Sequence, residues 1–248
     1  MMKVIDFSFE TPEENLALEE VLLQPFVKNS NVQPLIRFWE NVNPCVIIGR
    51  GEHIEKQVHL NYAEEHSVKV IRRISGGGTV LHGPNNLNVS FFLPFSFQKG
   101  LENIHESYCI ILSYVQKAIE NLTEKKVDIK GTCDLVIGEK KFSGTAQSRK
   151  RFGILHHLTL LWETDYELMR SLLKEPEKRP EYRGDRDHRD FVTTFKEEGF
   201  SFSLKDFKVA LLKEFEETEP YELSAQEYQS VTELVEKRYS KKDWNFER

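Results

Sequence analysis

Two short segments of this sequence combine residue types that act on anions. The first is RRISGGGTVLH (72–82), with two arginines, a serine, three consecutive glycines and a histidine. The runs on either side, 68–71 and 87–93, are rich in β-branched and aromatic residues and read as strands. Glycines between two strands take positive φ without steric cost. They let a ligand approach the backbone and leave amide N–H groups for an anion. A guanidinium entering such a loop suits a carboxylate or a phosphate. The bland alternatives are a plain connection and a solvated arginine pair.

The second segment is CDLVIGEKKFSGTAQ (133–147), followed by HHLTLL (156–161). Gly138-Glu139 separates two strand-like runs, and glycine at the first central position suits a type II′ hairpin turn. That turn sets Val136 opposite Lys141 and Asp134 opposite Ser143. Alternation then puts these four on one face, with Cys133, Leu135, Lys140 and Phe142 on the other. Lys141 is the inward lysine and Lys140 the outward one, unless both are surface residues of an exposed turn. His156 and His157 point to opposite faces of a strand, so only one faces any site. Tandem histidines raise zinc, but no third ligand stands at suitable spacing, and no metal centre is expected. His82 either binds a ligand or ends the glycine turn. Asn86, close behind, either contacts a ligand or caps the turn.

With these residues in place the chain resembles the lipoate–protein ligase A group of the biotin/lipoate ligase superfamily. The likeness rests on RRISGGGTVLH with NNLN, on DLVIGEKKFSGTAQ and on HHLTLL, and runs from NLALEE (15–20) to Asp243-Trp244-Asn245-Phe246. The resemblance implies an α+β catalytic domain with a mixed, mainly antiparallel sheet flanked by helices, spanning 1–248 without the accessory C-terminal domain of longer relatives. It implies ATP-dependent activation of lipoate to lipoyl-AMP, with Mg²⁺. The acyl group then passes to a lysine of a lipoyl domain, on a 2-oxoacid dehydrogenase or the glycine-cleavage H protein. It places the essential lysine at Lys141. Substrate and adenylate contacts fall at Arg73, Ser75, Gly76, Gly77, Gly78, His82, Asn86, Asp134, Ser143, Gly144, Ala146 and His157. Three positions depart from the family pattern: Gly83 replaces the usual Asp, Cys133 an Asn, and Leu158 the Gly of HHGTLL. With the accessory domain expected to be absent, or supplied by a separate polypeptide, transfer from lipoyl-AMP is expected to outpace activation of lipoate.

Three other functions remain open at this stage. Octanoyl transfer from acyl carrier protein would need a cysteine thioester, and Cys133 is the cysteine near the lysine segment. Biotin ligases carry a glycine segment of the form GRGRxGR, which this chain lacks. A non-catalytic lipoate-binding subunit would keep the pocket without the chemistry.

Composition bounds the rest. The 248 residues are 39% hydrophobic and 30% charged, enough for one substantial core. With 34 basic and 40 acidic residues the net charge is −6, which argues against nucleic acid as a partner. No apolar run reaches membrane-spanning length, no secretory leader opens the chain, and three cysteines form no disulfide pattern, so a cytoplasmic protein is expected.

The elements that must position these residues are also legible. Thr11-Pro12-Glu13-Glu14 is a capping box opening a helix through Leu23, and 35–39 and 45–49 read as strands around Asn43-Pro44. Tyr108, Ile111, Leu112, Val115, Ile119 and Leu122 follow helical spacing and read as core, with Cys109 packed inside the same helix. Ser203 and Ser224 each open a further helix. The charged run 177–190 lacks periodicity and is long for a connection, so it is either a functional loop or disordered. In the resembling ligases a mobile loop of this region closes over the acyl-adenylate.

Overall fold

A computed structural model describes residues 1–131, 134–177 and 179–247. Its strands, in chain order, are β1 (Met2–Asp6), β2 (Leu35–Trp39), β3 (Cys45–Ile48), β4 (Lys69–Arg72), β5 (Val80–His82), β6 (Asn86–Pro94), β7 (Asp128–Lys130), β8 (Asp134–Ile137), β9 (Lys140–Lys141), β10 (Ser143–Arg149), β11 (Gly153–Leu161) and β12 (Thr218–Pro220). Helices α1 (Pro12–Leu23), α2 (Ile54–Gln57), α3 (Leu60–Glu65), α4 (Ile104–Glu120) and α5 (Tyr166–Leu172) come first. They are followed by α6 (His188–Phe191), α7 (Leu204–Leu212), α8 (Ala225–Leu234) and α9 (Lys242–Asn245).

The principal sheet has the order β10-β11-β6-β2-β1-β12. Its pairings are antiparallel from β10 through β2 and parallel for β2-β1 and β1-β12. β6 is buried along all nine residues, because it is central and covered on both faces. One face carries Ile36, Phe38, Val89, Phe91 and Leu158 against Ile111, Leu112 and Val115 of α4 and Phe207 of α7. The opposite face carries Leu35, Trp39, Phe92 and Leu155 against α1 and against Cys45 and Ile47 of the small sheet β4-β3-β5. Val46 and Ile48 alternate to the far side of that small sheet, packing with Ile54, Met169 and Leu172. The fold is thus α+β with a mixed, mainly antiparallel sheet flanked by helices.

Local signals explain the boundaries. Thr11 caps α1 by accepting from Glu14 N, with Pro12 at the first position. Ser203 and Ser224 each form a complete capping box with Asp206 and Glu227. The hairpin β8-β9 has the expected register, Val136 opposite Lys141 and Ile137 opposite Lys140, with Gly138 at φ 61°. One expectation fails: Cys109 is exposed, on the outer face of α4, because the buried stripe runs through Ser107, Ile111 and Leu112. Among the described residues no helix is long and apolar enough to cross a membrane.

Nor are the paired arginines solvated. Arg72 is fully buried, its guanidinium donating to the carbonyls of Gly49, Arg50, Glu52, Trp244 and Asn245. Trp244 Nε1 and Asn245 Oδ1 return bonds to the Arg72 backbone, so the end of β4 and α9 form one unit. Arg72→Met keeps the apolar stem and leaves these carbonyls unpaired. It should destabilise the protein by about 3–5 kcal/mol, or roughly 10 °C in Tm, read by thermal and urea unfolding.

Candidate active site

Between the principal and small sheets lies a cavity of about 320 Å³, within the usual size range for small-molecule sites. Buried apolar side chains line part of it, among them Leu16, Trp39, Ile47 and Leu81. Arg73, Lys141, Lys174 and Arg183 line it as well, against Asp134 as the one carboxylate among the described lining residues. An apolar slot bordered by excess positive charge suits an amphipathic anion.

The glycine segment forms one wall. Gly77 sits at φ +82°, and a Cβ on Gly49 beneath it would lie 1.8 Å from the Gly77 carbonyl oxygen. The loop therefore needs glycine at both places. Gly76, Gly77 and Gly78 are exposed, and their amides donate to nothing among the described residues, so they are available to an anion. Arg73 enters the loop but spends its guanidinium internally. It donates to Ser75 Oγ at 2.9 Å, to the carbonyls of Gly76 and Gly78 at 2.6 and 2.8 Å, and to that of Ile47 at 3.3 Å. Burial lowers its pKa to about 10, which still leaves it charged at neutral pH. Arg73 thus shapes the loop from within, and it also lines the cavity, where the sequence reading has it contact the anion.

A buried carboxylate fixes this arrangement from behind. Glu19 of α1 accepts from Ser90 Oγ at 2.5 Å and meets His157 Nδ1 at 2.9 Å, while His157 Nε2 lies 2.7 Å from Ser75 Oγ. Burial raises the Glu19 pKa, but His157, Ser90 and Arg37 outweigh it, so the carboxylate titrates below its ordinary range. His157 faces the cavity, and His156 faces α4, where its ring lies edge-on to Tyr108.

The hairpin forms the opposite wall. Lys141 Nζ pairs with Asp134 Oδ1 at 2.7 Å, and Tyr182 OH donates to Asp134 Oδ2 at 2.7 Å. The main chain of Lys141 is held by Thr193 N at 2.8 Å. Lys140 is exposed. The charged run is folded here: Arg183 is buried, bonded to Glu175 at 2.5 Å, and lines the cavity with Pro180, His188 and Phe191.

Of the residues singled out in the sequence, Arg73, Gly77, Gly78, His82, Asp134, Lys141, Ser143, Gly144, Ala146 and His157 line the cavity. Three do not. Ser75 is buried, Gly76 is exposed outside the cavity lining, and the Asn86 side chain, with its amide oxygen and nitrogen exchanged, donates to the carbonyls of Glu163 and Asn85. The expected facing of Cys133 lies outside the described residues. Sequence reasoning missed Glu19, Trp39, Asn88, Thr159 and Tyr182. Thr159 had a signal, being two residues beyond His157 and hence on its face. Glu19 had none, since a helical glutamate ordinarily faces solvent.

His82 and His156 are both held neutral by burial, their pKa lowered from 6.5 to about 3. A depressed folded pKa gives stability that is present above pH 6.5 and lost as the pH falls toward 3, at about 1.4 kcal/mol per pH unit for each imidazole. His156→Leu should flatten the loss of urea-unfolding free energy between pH 6 and 4 by about that amount.

Residues 11–216 match the model of the lipoyl protein ligase A/B catalytic domain. The octanoyltransferase LipM of Geobacillus kaustophilus is 29% identical, over 99% of this chain and 98% of that protein. The probable lipoate-protein ligase A of Mycoplasma pneumoniae is 33% identical, over 95% of this chain and 68% of that protein. A solved lipoate-protein ligase A bound with ATP superposes with a TM-score of 0.84 at 22% identity, covering 98% of each chain, and shares the fold. With its glycine loop, its lysine hairpin and the slot between them, the chain belongs to the lipoyl protein ligase A/B catalytic-domain family and is an enzyme of protein lipoylation.

Proposed function

We propose that this protein is an ATP-dependent lipoate–protein ligase, which forms lipoyl-AMP and passes the lipoyl group to a lysine of a lipoyl domain. The observation that carries this reading is Lys141, held by Asp134 at a cavity whose other wall includes the exposed Gly77 and Gly78 of the glycine loop. Two pre-placed sources of positive potential then flank the point where a carboxylate meets a phosphate. Among the described lining residues there is no thiol. Cys45 is buried and its ionisation suppressed, chiefly by burial, and Cys109 is exposed on α4.

The apolar part of the slot takes the acyl chain. The lipoate carboxylate oxygen attacks the α-phosphorus of ATP, the P–O bond to pyrophosphate breaks, and pyrophosphate leaves. Lys141 and the loop amides stabilise the charge that builds on the phosphate oxygens. Mg²⁺ carried by ATP would neutralise phosphate charge, and Asp134, released from Lys141, is the lining carboxylate that would hold it. For transfer, the neutral amine of the acceptor lysine attacks the acyl carbon, the bond to AMP breaks, and the amine sheds a proton. Lys141 then faces the developing oxyanion. The Pro180–Phe191 segment shields the mixed anhydride from water.

A second reading is kept by one observation, the end-to-end match to LipM, which points to octanoyl transfer from acyl carrier protein through a cysteine. Pyrophosphate release with lipoate and ATP, set against octanoyl transfer from octanoyl-carrier protein, separates the two.

Removing one preorganised charge from such a site costs about 3–4 kcal/mol, a hundred- to a thousandfold in rate. Lys141→Ala should therefore nearly abolish lipoylation in a single-turnover assay, Lys140→Ala should leave it within about twofold, and Cys133→Ser should stay active. An inactive Cys133→Ser, together with an acyl adduct on Cys133 of the wild type by mass spectrometry, would establish the acyltransferase instead. Gly77→Val, strained at φ +82° and pressed on Arg73, should weaken binding of a non-hydrolysable lipoyl-adenylate at least tenfold by calorimetry.

A further inference from the structure

One row of the principal sheet places Gly144, Thr159, Asn88 and Trp39 side by side on four adjacent strands, and all four line the cavity. A chain of hydrogen bonds runs through this row, and its direction is forced. It starts at Arg37, fully buried, whose guanidinium has no acceptor and whose pKa burial lowers only to about 9. Arg37 Nη2 donates to Asn15 Oδ1 at 2.6 Å, and Asn15 Nδ2 to Asn41 Oδ1 at 3.2 Å. Asn41 Nδ2 meets His82 Nδ1 at 3.2 Å. The His82 imidazole is neutral, so with Nδ1 accepting, the proton sits on Nε2 and is donated to Thr159 Oγ1 at 2.9 Å. Thr159 then gives its hydroxyl proton to Asn88 Oδ1 at 2.7 Å. With Oδ1 committed as acceptor, Asn88 Nδ2 must be a donor. It is buried and has no hydrogen-bond partner among the described residues.

Natural proteins pair nearly all such groups, since a buried unpaired donor costs free energy. The orphan stands in the wall of the slot beside the indole of Trp39, two strands inward from the β10 edge that carries Gly144. An acyl chain whose carboxyl end lies by Lys141 brings its far end toward that row. We propose that Asn88 Nδ2 is the specificity-determining donor for the distal group of the substrate, and that it recognises a five-membered cyclic disulfide through a sulfur lone pair. This deepens the ligase reading and rests on it: a saturated hydrocarbon tail offers the donor nothing, whereas a dithiolane offers a weak acceptor of the right bulk. The five-step chain from Arg37 keeps the amide from rotating to present its oxygen, which would repel sulfur. A site built to donate penalises a ligand that lacks the acceptor.

The test compares lipoate with 5-cyclopentylpentanoate, which has the same ring size and chain length but no sulfur. Dissociation constants for both, measured by calorimetry on the full chain, give a preference ratio for the wild type and for Asn88→Leu, a near-isosteric change. A hydrogen bond of this kind is worth roughly a two- to tenfold preference, and Asn88→Leu should remove it. Thr159→Val, which releases the Asn88 oxygen and lets the amide turn, should lower the ratio in the same direction by less. A wild type that binds both acids equally, or a ratio unmoved in either folded variant, overturns the assignment while leaving the ligase reading intact. A wild type that binds neither acid removes the ligase reading of the slot and this inference together. Circular dichroism confirms folding, and the wild-type ratio needs no variant.

Discussion

The carboxylate of Glu19 is the interaction on which the site depends. It lies in the interior between two sheets, where an unpaired charge is intolerable, and it is satisfied from Ser90, His157 and the nearby charge of Arg37. Through His157 it reaches Ser75, and through Ser75 the guanidinium of Arg73, which gathers the carbonyls of Gly76 and Gly78. A glycine loop free of such ties would sample many conformations. With the carbonyls of Gly76 and Gly78 drawn toward the buried cation, the N–H groups that share those trans peptides, on Gly77 and Thr79, point the other way. One buried anion thereby sets the polarity of a loop on another element. The arrangement is weak as a source of stability, since burying charge costs nearly what pairing returns, and strong as a source of a single geometry.

The same economy recurs next door. Arg72 and Arg73 are adjacent on β4 and its end, yet they face opposite ways and hold different things: Arg72 ties the C-terminal helix α9 to the strand, and Arg73 ties the loop. Arg50 adds a stacked guanidinium over Trp244, and Arg238 another. The base of the glycine loop is consequently backed by α9, with Arg72 and Asn245 173 residues apart in sequence. Loop shape and C-terminal packing are one cooperative unit, so damage to either is felt in the other.

Much of this was legible beforehand where the rule is local. The helix opening at Thr11-Pro12, the capping boxes at Ser203 and Ser224, and the hairpin at Gly138 follow from propensities that act within four residues. Alternation along β9 and β11 correctly turned Lys141 and His157 toward the cavity and Lys140 and His156 away. What stayed hidden depends on long-range packing. That Arg73 also binds the loop's own carbonyls could not be read from the sequence, because those acceptors come near it only once the loop is folded. Glu19 sits on a helix buried on most of its faces, so its charge gave no hint of an inward orientation. Cys109 read as packing from its place within a helix, yet it falls outside the buried stripe by one position. The charged run 177–190 had no periodicity to read because it is organised by Glu175, which lies outside it and pairs with Arg179, Arg183 and His188.

The two walls of the cavity differ in kind. The glycine wall is rigid, tied by buried bonds to Glu19 and to α9. The lysine wall is a two-residue strand on a short three-stranded sheet, and its charge is held by contacts that lie nearer the surface: Asp134 on Lys141, and Tyr182 on Asp134. Lys141 keeps a quarter of its side chain exposed, so its ion pair is solvent-screened and inexpensive to open. On the ligase reading proposed above, phosphate oxygens entering from the mouth would compete with Asp134 for that ammonium, and a fixed set of amides opposite would complete their coordination without moving. On that reading, rigid dipoles on one side and an exchangeable cation on the other would allow an anhydride to be made and then broken. The cation would follow the charge from phosphate to acyl oxygen while the loop keeps the junction in place.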